Sequence, residues 1–497
     1  GLDNSISRLS SLSDSGGTLE SYKYLGLGTV VERDHPQNNI NQTYIKQGND
    51  PLANGDGGDQ YTGLDRYGRI IDQNWVNATT GASTDRLQMG YSLDGDVQYR
   101  QNLVDAVFSE LYQNDNLHQL VNFQRGTLNS THNGLVGSPS HSQIWSPDAL
   151  GNFNSVTTDG STQTRTANQQ NEITSITGAS AVTYDANGNL TADGSGNTYV
   201  YDAWNHLVKV NNGGTTLAAY GYDGLGRRIT ETHGATTTDL YLSAANQVLE
   251  ERVGGVVQAR NVWSPVYVNA MVLRDQSSQH NGVLDQRLYI QQDANWNVTA
   301  LVDTSGNVVE RYDYTPFGTQ TVLNPDFSVR SSSAYAMLYG FQGMRGDLGG
   351  NLLQAWGRIY NVALMCWLQT DPTGLSAGNN DYQFVGNNPV HFTDPTGLAP
   401  NDQTFGLPRE FWNWYHRQVK RPGDPDLTRI EAMAYYEEWK NSGSPGPDNK
   451  GRRGGRGGKR SGKATPEALA SLGTTATIIG AIGVLTKGFT IANGIKN

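Results

Sequence analysis

Cysteine is almost missing from this chain of 497 residues, which carries a single one, Cys366. One thiol excludes an internal disulfide framework and any cysteine-based zinc site, and it leaves the redox compartment open. Charge is scarce too, at 17%, and no constellation for a nuclease, deaminase, transferase, metal site or small-molecule cofactor stands out. Position 1 is Gly rather than Met, and no charged-then-apolar leader follows. The reading predicts a piece of a longer chain whose address lies upstream. What is abundant is turn and strand chemistry. There are 59 Gly and 25 Tyr, with plentiful Asn, Thr and Asp, a mixture that disfavours helix-rich classes over the first four fifths and favours short strands joined by tight turns.

The net charge of −11 conceals an asymmetry. Residues 399–497 hold 15 Lys/Arg against 9 Asp/Glu, a net of +6, which leaves −17 on residues 1–398. An acidic body is a poor nucleic-acid binder, so any attraction for phosphate or anionic lipid falls to the tail.

Residues 1–59 show no clear pattern. From about 60 to 320 a loose unit recurs, made of an aromatic-Asp pair, a Gly/Asn turn and a β-branched run. Clear copies are "YDANGNLTADGSGNTYVYDAWNHLVKV" from Tyr184, "YGYDGLGRRITETHG" from Tyr220 and "YIQQDANWNVTALVDTSGNVVERYDYTPFG" from Tyr289. Asn-Gly, Asp-Gly and Gly-Asn steps supply positive φ at hairpin turns, and the residues beside them fit period-2 strands. A single hairpin cannot bury a face, so tandem hairpins predict one long, curving sheet. Each Tyr-Asp pair reads first as scaffold, with the ring packed on the sheet and the Asp holding a turn. A sugar-binding role for exposed rings such as Trp204, Trp263 and Trp296 is the competing reading.

These copies resemble the YD repeats of bacterial Rhs-type polymorphic toxins and toxin-complex proteins. The resemblance implies a mainly β fold in which tandem hairpins build a spiralling sheet, here an arc of a hollow shell, closed by an Rhs-associated core and followed by a short helical tail. The core, placed at 321–398, carries "YGFQGMRGDLGGNLLQAWGRIYNVALMCWLQTDPTGL" and "YQFVGNNPVHFTDPTGL" after the "RYDYTPFGTQ" at Arg311. The five letters DPTGL occur twice, at Asp371 and at Asp394. Alone they are two ordinary turns, with Pro372 and Pro395 fixing φ and Gly374 and Gly397 allowing it to be positive.

In the family the twin turns carry the acids of an aspartyl autoprotease that needs an upstream Arg. The resemblance assigns these roles to Asp371, Asp394 and Arg358, with the cut between Leu398 and Ala399. The chemistry asks for two carboxyl groups close enough to share one proton, leaving one base to activate water and one acid to protonate the carbonyl oxygen. One departure from the family pattern precedes the first turn, where a small, basic step is replaced by Met365, Cys366 and Trp367. Cys366, in "VALMCWL", reads as a packed thiol rather than a nucleophile paired with His391.

Past Leu398 the pattern turns helical. Residues 399–449 predict two amphipathic helices, one opened by Pro408 and one by a Thr428/Glu431 capping box that stops at Gly443. Residues 450–464 are a basic, Gly-rich linker, and 450–463 suits an anionic membrane or nucleic acid equally well. Residues 465–497 predict an apolar helix whose uncharged stretch, 468–486, has 19 residues, just enough for a membrane span. As a whole the resemblance implies a secreted or cell-surface toxin that encapsulates its own C-terminal segment as cargo and releases it. It brings in an immunity protein and a secretion apparatus as partners. Two alternatives stay open: a YD adhesion or carbohydrate-binding protein without catalysis, and a membrane-active C-terminal effector.

Overall fold

The computed structural model describes residues 8–25, 29–45, 61–347, 351–374 and 378–398, together with Trp439 and the strand Thr490–Ala492. The chain divides into two units, one of residues 1–23, 30–400 and 489–497, the other of 24–29 and 401–488. In the second, Trp439 is helical and buried; the rest of the helical tail and the basic linker lie outside the described residues. Among the described residues no helix is long and apolar enough to cross a membrane, and the stretch 468–486 is not among them.

The first unit is almost entirely antiparallel sheet. Thirteen strands from Ser11–Asp14 to Ile173–Ile176 follow one another in chain order, with Thr490–Ala492 added beside the first. A second sheet holds fifteen strands, again in chain order, from Val182–Tyr184 to Val329–Arg330. The pattern therefore begins earlier than residue 60, since four strands lie between Ser11 and Thr43. At Thr490–Ala492 the chain is strand, where the sequence reading has helix.

The repeated Tyr-Asp pair has a physical explanation. Asp185 Oδ1 accepts the N–H groups of Asn187 and Asn189, while Oδ2 accepts from the Asn189 side chain. Asp202 does the same with Trp204 and His206, and Asp223 with Leu225 and Arg227. The residue three after each Asp has positive φ: +79° at Gly188, +65° at Asn205 and +74° at Gly226. In two copies the Tyr before the Asp ties back to an earlier turn. Tyr201 donates to the Leu190 carbonyl and Tyr222 to Leu207, each the residue that leaves the previous acidic turn; Tyr314, which precedes Thr315, does the same with Val298. The Asp closes its own bend and the Tyr fixes the spacing to the last one.

Residues 339–398 form a plug with its own four-stranded sheet, Arg345–Gly346, Leu352–Gln354, Ile359–Asn361 and Cys366–Trp367. It seats on the rim where the acidic turns lie. Tyr382 donates to the Gly188 carbonyl, Asn387 to Gly151, Asn388 to His118 and Tyr360 to Phe317. Turn carbonyls freed from the ladder are thus satisfied by the plug. Apolar contacts complete the seat: Leu352, Ile359, Leu364 and Leu368 pack on Leu190, Leu207 and Val210, and Phe341, Tyr360, Trp367 and Phe384 join Leu288, Ile290 and Leu301. The two large sheets meet each other through Trp75, whose indole N–H donates to the Gln292 carbonyl, and through the Arg100–Asp293 ion pair at 2.7 Å.

Candidate functional site

Arg358 enters the plug strand Ile359–Asn361 with its guanidinium buried beneath the two DPTGL turns. The indole of Trp367 lies under it, with the guanidinium carbon 4.5 Å from the ring centroid. That cation–π platform occupies one face of the cation and directs its N–H groups sideways. One nitrogen, Nη2, stands 2.7 Å from Asp371 Oδ2 and 3.6 Å from Asp394 Oδ2. Nη1 donates to the Asp381 carbonyl at 2.9 Å, and Nε donates to the Gly397 carbonyl. All three residues named by the sequence therefore converge, and Arg358 also holds the backbone one residue before Leu398. Burial pulls the guanidinium below its ordinary value, and Asp371, Asp394 and Asp381 oppose that pull.

The two turns share letters and a Thr hydroxyl bonded to the Asp, but not their backbone bonds. Asp371 Oδ1 accepts from the Thr373 N–H and hydroxyl at 2.8 and 2.6 Å, while its carbonyl accepts from Gly374. Asp394 Oδ1 instead accepts from the N–H groups of Gly397 and Leu398 at 2.8 and 3.3 Å and from the Thr396 hydroxyl. The cause is a clamp on the second copy: Gly357 N–H donates to the Thr396 carbonyl at 2.8 Å, and Arg358 takes the carbonyl of Gly397. Gly374 and Gly397 have φ of +60° and +66°, as the turns require. Pro372 is exposed and Pro395 buried. What the two carboxyl groups share among the described contacts is the guanidinium.

Burial lifts Asp394 to about 6 against the pull of Arg358 and of its three donors. Asp381, which sequence reasoning missed, bonds the same cation through its backbone carbonyl and brings a third carboxyl group near it. Burial and the negative charge of Asp371 raise it, opposed by Arg358. Leu398 is half-buried, and its side chain lies over Gly357, where an added Cβ would fall 2.8 Å from Leu398 Cδ2. Ala399 lies outside the described residues.

Of the departure at Met365–Trp367, one residue, Trp367, touches the site. Trp367 supplies the platform under Arg358, and Met365, at φ +63°, accepts the Trp145 indole N–H on its sulfur at 3.2 Å. The Cys366 thiol is pushed up by burial to about 12, which suits a packed thiol and not a nucleophile. Of the three rings offered as sugar platforms, Trp204 is exposed, whereas Trp263 packs edge-on against Tyr339 and Trp296 stacks on Tyr267.

Comparison with known proteins agrees with the fold. Over 261 residues the chain is 31% identical to the tRNA3(Ser)-specific nuclease WapA of Bacillus spizizenii, covering 50% of this chain and 10% of that protein. It is 31% identical over 205 residues to the toxin subunit YenC2 of Yersinia entomophaga, covering 37% and 20%. A solved TcdB2-TccC3 structure superposes on 77% of this chain and 20% of its own with a TM-score of 0.59 at 18% identity, a likeness of fold. The chain thus spans a tenth to a fifth of these relatives. The model of the Teneurin YD-shell matches residues 65–390, a range that contains the Tyr-Asp turns and most of the plug but stops short of Asp394. With the acidic turns, their tethering tyrosines and the meander they build, that match makes this chain a member of the Teneurin YD-shell family.

Proposed function

We propose that this chain is the C-terminal part of an Rhs-type toxin that cuts its own backbone after Leu398 and releases the segment beyond as cargo. The observation that carries the reading is the convergence of Asp371 and Asp394 on one buried Arg358 nitrogen, with the same guanidinium gripping Gly397 beside the bond. The resemblance of the plug to the Rhs-associated core, and relatives that include a nuclease and a toxin subunit, support a shell that carries a variable cargo. They support, too, an extracellular setting with other toxin components as partners.

In this reading Asp371, in direct contact with Arg358, is the base that takes a proton from water. Asp394, whose burial favours the neutral form, is the acid that protonates the leaving nitrogen. Covalent attachment holds the substrate in place, so a slow single turnover suffices. The test is intact mass of the full chain. Wild type should yield a fragment beginning at Ala399, and Asp371→Asn and Asp394→Asn should stay whole. Arg358→Lys, which keeps the charge but loses the fork to Gly397, should cut far more slowly. An uncut wild type would favour the adhesion reading, for which exposed Trp204 is the specific support.

A further inference from the structure

The Thr373 hydroxyl sits at the exposed edge of this cluster, 2.6 Å from Asp371 Oδ1 and 3.4 Å from the carbonyl oxygen of Leu398. It has one proton and can donate it to only one of these oxygens at a time. Its counterpart in the second copy has no such contact with the Leu398 carbonyl among the described residues. The Thr396 hydroxyl donates to Asp394 Oδ1, and the Thr396 carbonyl is taken by Gly357.

We propose that Thr373 is a catalytic residue of the cut at Leu398: its O–H turns from Asp371 to the Leu398 carbonyl oxygen as negative charge moves there. This rests on the cleavage reading above. At the start the Asp371 carboxylate accepts a hydrogen bond from the Thr373 O–H, which keeps its proton. Asp371 then takes a proton from water, the water oxygen bonds to the Leu398 carbonyl carbon, and the C=O π pair moves onto its oxygen. The charge has passed from carboxylate to oxyanion, and the hydroxyl that touches both follows it. When the oxyanion re-forms its double bond the C–N bond breaks, Asp394 gives its proton to the Ala399 nitrogen, and Leu398 is left with the new carboxylic acid. Solvent returns the two aspartates to their starting states. The 3.4 Å contact belongs to the ground state; oxyanion donors act at closer range to an oxygen that carries charge.

The full chain, synthesised in a cell-free extract and sampled over time, tests this through the rate at which the Ala399 fragment appears. Thr373→Val should slow it by about 100-fold, Thr373→Ser should stay close to wild type, and Thr396→Val should slow it less than Thr373→Val. Asp371→Asn should abolish it. If wild type is never cut, the cleavage reading itself fails. If wild type is cut and Asp371→Asn is not, yet Thr373→Val keeps the wild-type rate, the role of Thr373 is overturned. It is overturned equally if Thr373→Ser is as slow as Thr373→Val, since loss of the hydroxyl would then not be the cause.

Discussion

At Asp394 burial and charge pull in opposite directions, and burial prevails, placing the group at about 6. The protonated form required of an acid is therefore the major one below that pH, and its share falls tenfold per unit above it. Cleavage of the full chain, followed by intact mass between pH 5 and 8, should slow by about tenfold per unit once past 6. A rate that climbs through this range would assign the acid role to another group. The pair of aspartates was legible because their letters are duplicated, and Arg358 because the resemblance placed it. Asp381, Trp367 and Thr373 were not: each matters through what it faces across the plug, and no local spacing encodes a neighbour 9 or 25 residues away.

At the scale of one hairpin, the same backbone angle has two different tolerances. Gly178 and Gly188 both have φ of +79°, yet a Cβ at Gly178 meets nothing within 4 Å while one at Gly188 falls 2.7 Å from Thr370 Cγ2 and Tyr382 Oη. Gly178→Ala should cost about 1 kcal/mol, the strain of positive φ alone. Gly188→Ala should cost two to three times as much, roughly 2–3 kcal/mol, because it also lifts the plug from its turn. Urea titrations of both, made in an Asp371→Asn chain so that the backbone stays whole, check the difference; equal losses would mean that the plug yields there without cost. Period-2 patterning and Gly/Asn steps made these hairpins readable in the sequence. The strands of residues 8–45 escaped, since they carry no aromatic-Asp turn and join the sheet by pairing.

For the first unit as a whole, the seating of the plug depends on buried charge. Arg345 of the plug bonds Glu231 at 2.8 Å and Glu251 at 2.9 Å, and Arg274 holds Glu251 from the sheet. Burial pushes both glutamates upward, but the arginines outweigh it and hold both below the usual carboxylate range. Their folded-state values are depressed, so the stability they add is present above the unfolded value of 4.5 and is lost as pH falls from there. Arg345→Met leaves Glu251 to Arg274 alone and Glu231 to Arg228 alone, and should cost about 3 kcal/mol at pH 7. Thermal melts of Asp371→Asn chains with and without it should differ most at neutral pH and converge toward pH 3. A gap that is constant with pH would assign the loss to packing.

The amino-acid sequence by itself determined the hairpin unit and the acidic turns, because these rest on backbone angles and side-chain reach within five residues. Only the tertiary structure decided that the backbones of the two DPTGL copies bond differently, that one guanidinium meets both acids, and that the Thr373 hydroxyl reaches the carbonyl of Leu398. Those facts arise where the plug folds back on itself, and burial and fixed neighbours there set each group's charge and direction.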